Sequence, residues 1–323
     1  MRPWIVAVLL IVALGMTGSA RAQGGTWSFV LENDLFADTD RNYTNGIALS
    51  YTTAPDAVPD FAKRWAQALQ RDHNPTAFAT VSVGQQMFTP IDIGARRPLP
   101  DQHPYAGYLN IAGAFTAVSR QRLDSVNIAV GVVGPAALGE QAQAFVHKLI
   151  DGRDPNGWDN QLKNEPALLI TYDRRYRSLI DFDAFGLQGD LVPGFGLSLG
   201  NVELSGRGSL ALRFGTGLED DYGAPRIRSG LATSGALAGN GTTAYRFAAV
   251  EGEAVGRSIF LDGNTFRDSL SVDRNPFVAD FQFGAALGYN QVRVAYTFVV
   301  RTPTFDTELG RQRFGAVSVS LRF

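Results

Sequence analysis

The chain of 323 residues has no cysteine, only three histidines and three methionines, and a net charge of −2. The missing cysteines exclude a disulfide framework and a thiolate metal centre. The near balance of 29 Lys and Arg against 31 Asp and Glu gives no electrostatic reason to expect a nucleic-acid partner. Long apolar runs are scarce as well. Past the first residues, no segment reaches the ~18 uninterrupted apolar positions of a membrane-spanning helix.

What is present is export and alternation. Arg2, the apolar run Ile5 to Leu14 and Ala20-Arg21-Ala22 make the three parts of a secretory signal peptide. The expected division is a signal peptide over 1–22 and a mature chain over 23–323 that forms one barrel. In residues 291–301, Val292, Val294, Tyr296, Phe298 and Val300 alternate with Gln291, Arg293, Ala295, Thr297 and Arg301. Val317, Val319, Leu321 and Phe323 alternate with Ser318, Ser320 and Arg322. Segments of about ten residues, apolar on one face and polar on the other, are the mark of a transmembrane β-barrel. A soluble β-sandwich also alternates. Phe323 at the end of such a strand favours the barrel, because it resembles the last strand of bacterial outer-membrane proteins.

The expected fold is all-β, a twelve-stranded antiparallel transmembrane β-barrel. Strands fall at 25–32, 43–53, 79–88, 106–118, 123–133, 166–178, 182–197, 200–216, 244–262, 276–289, 290–302 and 312–323. An even count closes such a barrel, and closure leaves no unpaired edge in lipid. Tight turns fall at Ser119-Arg120-Gln121 and near Tyr289-Asn290. The long connection 54–78 is expected to hold a short helix, Phe61 to Leu69, against the barrel end or the membrane. With both termini in the periplasm, connections 33–42, 89–105, 134–165, 263–275 and 303–311 share the outer rim.

The run from Glu32 to Gly46, ENDLFADTDRNYTNG, is dense in hard oxygen donors, which suits calcium with its six to eight oxygen ligands. An EF-hand is excluded, since Tyr43 stands at its required Gly and Leu49 at its bidentate Glu. Strand alternation puts Glu32, Asp34 and Thr44 on the side opposite the apolar face. A second candidate lies in the 134–165 connection. Leu138 to Ile150 fits an amphipathic helix with an apolar stripe of Leu138, Ala142, Phe145 and Leu149. Glu140, Gln143, His147 and Asp151 form its opposite arc, and His147 is suited to proton transfer near neutral pH. Arg96 and Arg97, in the proline-rich 89–105 connection, can fork onto phosphates. His103 and His73 carry no comparable pattern.

Together, Asn33-Asp34 followed by Tyr43-Thr44, the Gly134-Pro135 lead-in, Gln143, His147 and the Trp158/Gln161 region resemble the lipid A deacylase family of Gram-negative outer membranes. Members of that family remove the 3′-acyloxyacyl chain of lipid A. The likeness runs through most of the mature chain, strongest over 33–46 and 134–161. It implies a calcium-dependent ester hydrolase near the outer-leaflet rim, with lipid A or lipopolysaccharide as partner and a monomeric barrel. Asn33, Asp34, Thr44 and His147 are the functional positions it implies, with Arg96 and Arg97 as counterparts of a basic pair. The family carries a Glu shortly after its His. Here Arg153 stands near that position, and the acidic role falls to Asp154 or Asp151. In this scheme His147 is the general base, and calcium on Asp34, Thr44 and Asp154 stabilises the oxyanion. Two other classes fit a barrel. A calcium-dependent phospholipase needs a serine nucleophile near its His, and no histidine here has one adjacent in sequence. A non-catalytic porin needs an open lumen.

Overall fold

The structure is a computed structural model, and it describes residues 24–34, 42–71, 73–150, 154–177, 179–220, 222–223 and 242–323. The expected signal peptide and most of the first rim connection lie outside these residues. Strands β1 (Thr26–Asn33), β2 (Asn42–Thr52), β3 (Thr76–Thr89), β4 (Ala106–Val118), β5 (Arg122–Val133) and β6 (Glu165–Tyr176) run antiparallel to their neighbours. So do β7 (Asp181–Ala184), β8 (Leu187–Gly200), β9 (Glu203–Thr216), β10 (Thr243–Ser258), β11 (Phe277–Tyr289), β12 (Val292–Arg301) and β13 (Gln312–Arg322). β1 pairs with β13, and β6 pairs with β8 from Leu169↔Gly200 to Arg175↔Gly194. Those two seams close a ring of twelve strands.

β7 stands outside the ring. The single strand expected at 182–197 is a hairpin plus a wall strand, because Phe185 and Gly186 both take positive φ, 54° and 75°. Two positive-φ residues make the tight turn whose twist matches a hairpin. A second tight turn at Asn201-Val202 joins β8 to β9, and the sequence reading did not mark it among the outer connections.

Alternation sorts the wall into two media. On β11, Phe277, Phe281, Phe283 and Leu287 are exposed, whereas Val278, Asp280, Gln282 and Ala286 are buried. The exposed set faces lipid and the buried set faces the lumen. Buried ion pairs cross the lumen side: Arg213–Asp190 at 2.5 Å, Arg207–Asp173 at 2.9 Å and Arg301–Asp280 at 2.7 Å. Both ends are filled. Leu218 packs among Tyr245, Ala286 and Ala295 near the lower end, and Tyr222 donates to the Ser119 carbonyl at 2.5 Å. At the upper end, away from the termini, Phe88 stacks on Phe260 at 4.1 Å and on His103 at 5.3 Å. A cavity of ≈ 130 Å³ remains beneath them, lined by Glu32, Glu203, Arg207, Glu251 and Glu253 among others.

Two helices lie on the outside of the wall. Helix α1 (Asp60–Leu69) places Ala62 and Ala66 against Ala77 and Ala117, at the lower end of β3 and β4. This is the short helix expected within 54–78. Helix α2 (Gly139–Ile150) lies at the upper end and contacts β3 and β4.

The lipid face can be tested directly. Tyr296 sits midway along the outward row of β12 and is 40% exposed. Tyr296→Arg is expected to destabilise the barrel by ~2–4 kcal/mol, the cost of Arg near the bilayer midplane. The same change at the rim residue Leu309, also exposed, should cost little. Equal unfolding midpoints for both variants in lipid vesicles would contradict the assignment.

Candidate functional site

Asn33 ends β1 and pairs in register with Asn45 of β2; Asn45 pairs with Met87 of β3, and Met87 with Gly107 of β4. This row lies on the lipid-facing side, sharing parity with the exposed Ile47 and Val83. Glu32 and Tyr43 line the lumen cavity instead. The register shifts between Tyr43 and Asn45, a β-bulge that inserts Thr44 and reverses the alternation there. Glu32 lies opposite the outward apolar row, as expected, but alternation alone does not extend that placement past the bulge to Thr44. Glu32 is inside the wall, its neighbour Asn33 is on the outer side, and Thr44 sits at the bulge where parity carries no information. Asp34 follows directly after β1 and is 2% exposed.

α2 is laid across this row. Gly107 and Gly139 are in close contact: a Cβ on Gly107 would sit 3.3 Å from the Gly139 nitrogen. A Cβ on Gly139 would come within 2.6 Å of the Trp158 ring, so the helix start depends on glycine there. One turn on, Ala142 packs against Met87, Ile93, Tyr105 and Trp158. Gln143 accepts a 2.7 Å hydrogen bond from the Trp158 indole, and both residues are buried. The helix thus starts over β4 and passes over β3.

The sequence distinguishes two faces of this helix, and the structure shows what each of them meets. Leu138 and Phe145 of the apolar stripe are 51% and 65% exposed. Gln143 and His147 of the opposite arc are buried, His147 to 6% exposure. The physical reason is the medium. On the outside of a membrane barrel the surroundings include acyl chains, so Leu138 and Phe145 can face outward, while Ala142 packs on the wall, Gln143 and His147 are buried and Glu140 stays exposed. Leu149, Ile150 and Asp151 add nothing to this comparison, since their side chains lie outside what the structure describes.

Arg96 and Arg97 are exposed on the connection between β3 and β4, which is stitched to the segment after α2. Asn156 N–H donates to the Ile93 carbonyl at 2.8 Å, Asn160 Nδ2 to the Arg96 carbonyl at 3.0 Å, and Tyr105 OH to Ile93 at 2.9 Å. Asp154 is exposed at the start of that segment. Gln85, which the sequence reading passed over, donates to the Ala137 carbonyl at 2.7 Å and helps seat the α2 lead-in. Its position on the lipid-side parity of β3 was the available signal.

The donor chemistry suits a hard cation. A buried Asp34 carboxylate adjoins the amide of Asn33 in sequence, with no cysteine anywhere in the chain to supply a thiolate. Among the described residues no group of three or more His, Asp or Glu side chains converges on one point. An ion here would take its other oxygens from amides, hydroxyls, main chain or water. Asp38 and Asp40 lie outside the described residues.

His103 is distinct from this site. It faces the lumen cavity between Phe88 and Phe305, with Nδ1 2.8 Å from the Pro104 carbonyl. Burial pushes its pKa down to about 4, against a smaller upward pull from that hydrogen bond. Between pH ~6.5 and about 4 the unfolded chain takes up a proton that the folded chain refuses. Stability present above pH ~6.5 is therefore lost as the pH falls through this window, by ~3 kcal/mol at most. The urea midpoint should drop between pH 7.5 and 4.5, and His103→Gln should narrow that drop. An unchanged drop would exclude His103 as its source.

Residues 5–323 match the family described as outer membrane protein LpxR. LpxR from Salmonella typhimurium has the same fold, with a TM-score of 0.74 at 18% identity, covering 92% of this chain and all of that one. The β-domain of the Bordetella autotransporter BrkA is a weaker likeness, with a TM-score of 0.47 at 8% identity over 92% of this chain and 98% of that one. No curated protein matches the chain in sequence. With nearly the whole chain covered and the barrel closed as expected, the chain belongs to the LpxR family of outer membrane proteins, and its twelve-stranded barrel is one of the bacterial outer membrane.

Proposed function

We propose that the protein is a lipid A deacylase, an ester hydrolase that removes the 3′-acyloxyacyl chain from lipid A at the outer wall of its barrel. The observation that carries this reading is the placement of a buried His147 on the wall-facing side of α2, which crosses the same outer row that ends in Asn33. From Gly139 to His147 the helix advances ~12 Å, and strands are spaced ~4.8 Å apart. A helix that starts over β4 and crosses β3 at Ala142 would, continued on that heading, carry His147 toward β2 and β1, the strand that ends in Asn33.

Such a site opens sideways to the membrane. A lipid in the outer leaflet reaches it along the wall, with its acyl chains already in an apolar medium. His147 would accept a proton from the attacking water. Asn33 would donate its amide N–H to the developing oxyanion or hold Asp34 in place. Arg96 and Arg97, exposed on the rim, would bind a lipid A phosphate. Asp34 and Thr44, with Asp154 as a candidate third oxygen ligand, would hold calcium. When bound, that ion supplies positive charge to polarise the ester carbonyl.

The filled lumen argues against a porin, since Leu218 and Tyr222 occupy the lower part and the Phe88–Phe260–His103 layer the upper. The phospholipase reading gains no support from His103, which is stacked and faces the lumen rather than lipid. The test is product analysis: purified barrel with calcium and lipid A should release the 3′-linked chain and leave glycerophospholipid intact. Intact lipid A under those conditions rejects the proposal.

A further inference from the structure

The lipid-facing apolar band is far shorter on the side that carries the helices. On β11 the outward row Phe277, Ala279, Phe281, Phe283, Ala285, Leu287 and Tyr289 is apolar from end to end. At ~3.3 Å per residue and a tilt of ~40°, twelve residues rise ~30 Å, the full thickness of a bilayer core. On β6 the outward row is Pro166, Leu168, Ile170 and Tyr172, and then comes Arg174. That is ~15 Å. On β5 the row Val132, Val130, Ile128 and Val126 ends at Asp124, after the same ~15 Å.

The charges at this lower limit form one cluster on the outside of the wall. Arg174 Nε lies 2.5 Å and Arg122 Nε 3.1 Å from the carboxylate of Asp124, which is fully buried. Tyr172 OH donates to Asp124 at 2.6 Å, and Gln70, just past α1, donates to it at 2.6 Å. Two cations on one carboxylate leave a net positive charge. The level of this cluster is the informative point. Arg174 pairs in register with Phe195, and its guanidinium lies 5.8 Å from that ring. Phe195 is the midpoint of the outward row Leu191 to Leu199 on β8. A bilayer of even thickness would set Arg174 near its midplane, the depth at which Arg facing lipid is most unfavourable.

We propose that the β3–β6 face thins the membrane, with the inner-leaflet headgroups drawn up to Arg174, Arg122 and α1. α1 fits an interfacial place there. Its exposed Phe61 stacks edge-on against Phe115 of β4 at 5.2 Å, while Arg64 of the next turn is exposed. The partner is a lipid surface with anionic headgroups, matched by the net positive charge of the cluster. α2 lies at the opposite end of β3 and β4, the strands next to the β5–β6 cluster. The inference needs only the barrel's place in the membrane and stands whether or not the proposed hydrolysis is correct.

The absence of native cysteine allows single spin labels to be placed on the full chain in vesicles of phosphatidylethanolamine and phosphatidylglycerol. Labels at Tyr172→Cys and Ile170→Cys on β6 are compared with Phe283→Cys on β11. Depth is read from collision with oxygen against a nickel chelate. The expected result is a Tyr172→Cys label at headgroup level, ~10 Å shallower than Phe283→Cys, with Ile170→Cys in between. Because Tyr172 also bonds Asp124, Ile170→Cys gives an independent reading if the first variant folds poorly. Labels on β6 as deep as Phe283→Cys would overturn the proposal.

Discussion

His147→Ala is expected to lower turnover per folded barrel by ~10²–10⁴, the usual loss when a general base is removed. The barrel itself should survive the change. His147 sits on a helix outside the wall, and the twelve-stranded ring closes through β1–β13 and β6–β8 without it. The rate of the unmodified enzyme should fall toward acid pH, because a protonated imidazole cannot accept a proton. A His that only packs α2 against the wall makes a different forecast: His147→Gln would weaken the fold, and the molecules still folded would turn over normally. Turnover normalised to folded barrel, read from the heat-resistant band on a cold gel, separates the two. Near-normal turnover in folded His147→Ala would move the base elsewhere.

Removing the cation is expected to have an effect as large. A chelator selective for calcium should abolish hydrolysis, and added calcium should restore it. Asp34→Ala should raise the calcium needed for half-maximal rate at least tenfold, since a hard cation loses its one buried carboxylate of the pair Asn33-Asp34. Asp154→Ala should have a smaller effect, because Asp154 is exposed at the far end of α2's connection. Turnover unchanged in chelated enzyme would remove the metal from the mechanism, and an unaltered calcium requirement in Asp34→Ala would remove Asp34 from the metal.

The wall was legible in the sequence, and parts of the rim were not. β11 to β13 alternate cleanly because one face of each strand meets acyl chains and the other a polar lumen. That contrast is written into every second residue. The hairpin at 181–200 was read as one strand because Phe185, the first residue of its turn, is apolar and carries no turn signature. The bulge at Thr44 was invisible for a related reason. Its signal is a register against β3, a strand that begins more than thirty residues later. Asn33, Asp34 and His147 stand out in the sequence by residue type and motif, but the face each one occupies is not written in the local pattern. Helical periodicity distinguishes two faces of α2 without saying which medium each one meets.

The sequence by itself determined the class of the molecule, an exported all-β chain of alternating strands, and the short set of side chains able to do chemistry. Those follow from local rules: period two in strands, period 3.6 in helices, and the donor types of the residues. Only the tertiary structure decided which side of the wall each candidate occupies. Glu32 went to the lumen and Asn33 to the outer face, although they are adjacent in the chain. Gln143 and His147 of α2 became buried, and Asp124, Arg122 and Arg174 met on the lipid side from two different strands. These outcomes depend on closure of the ring and on the pairing of strands distant in sequence. Which medium a residue meets is a property of the whole barrel, and no local pattern contains it.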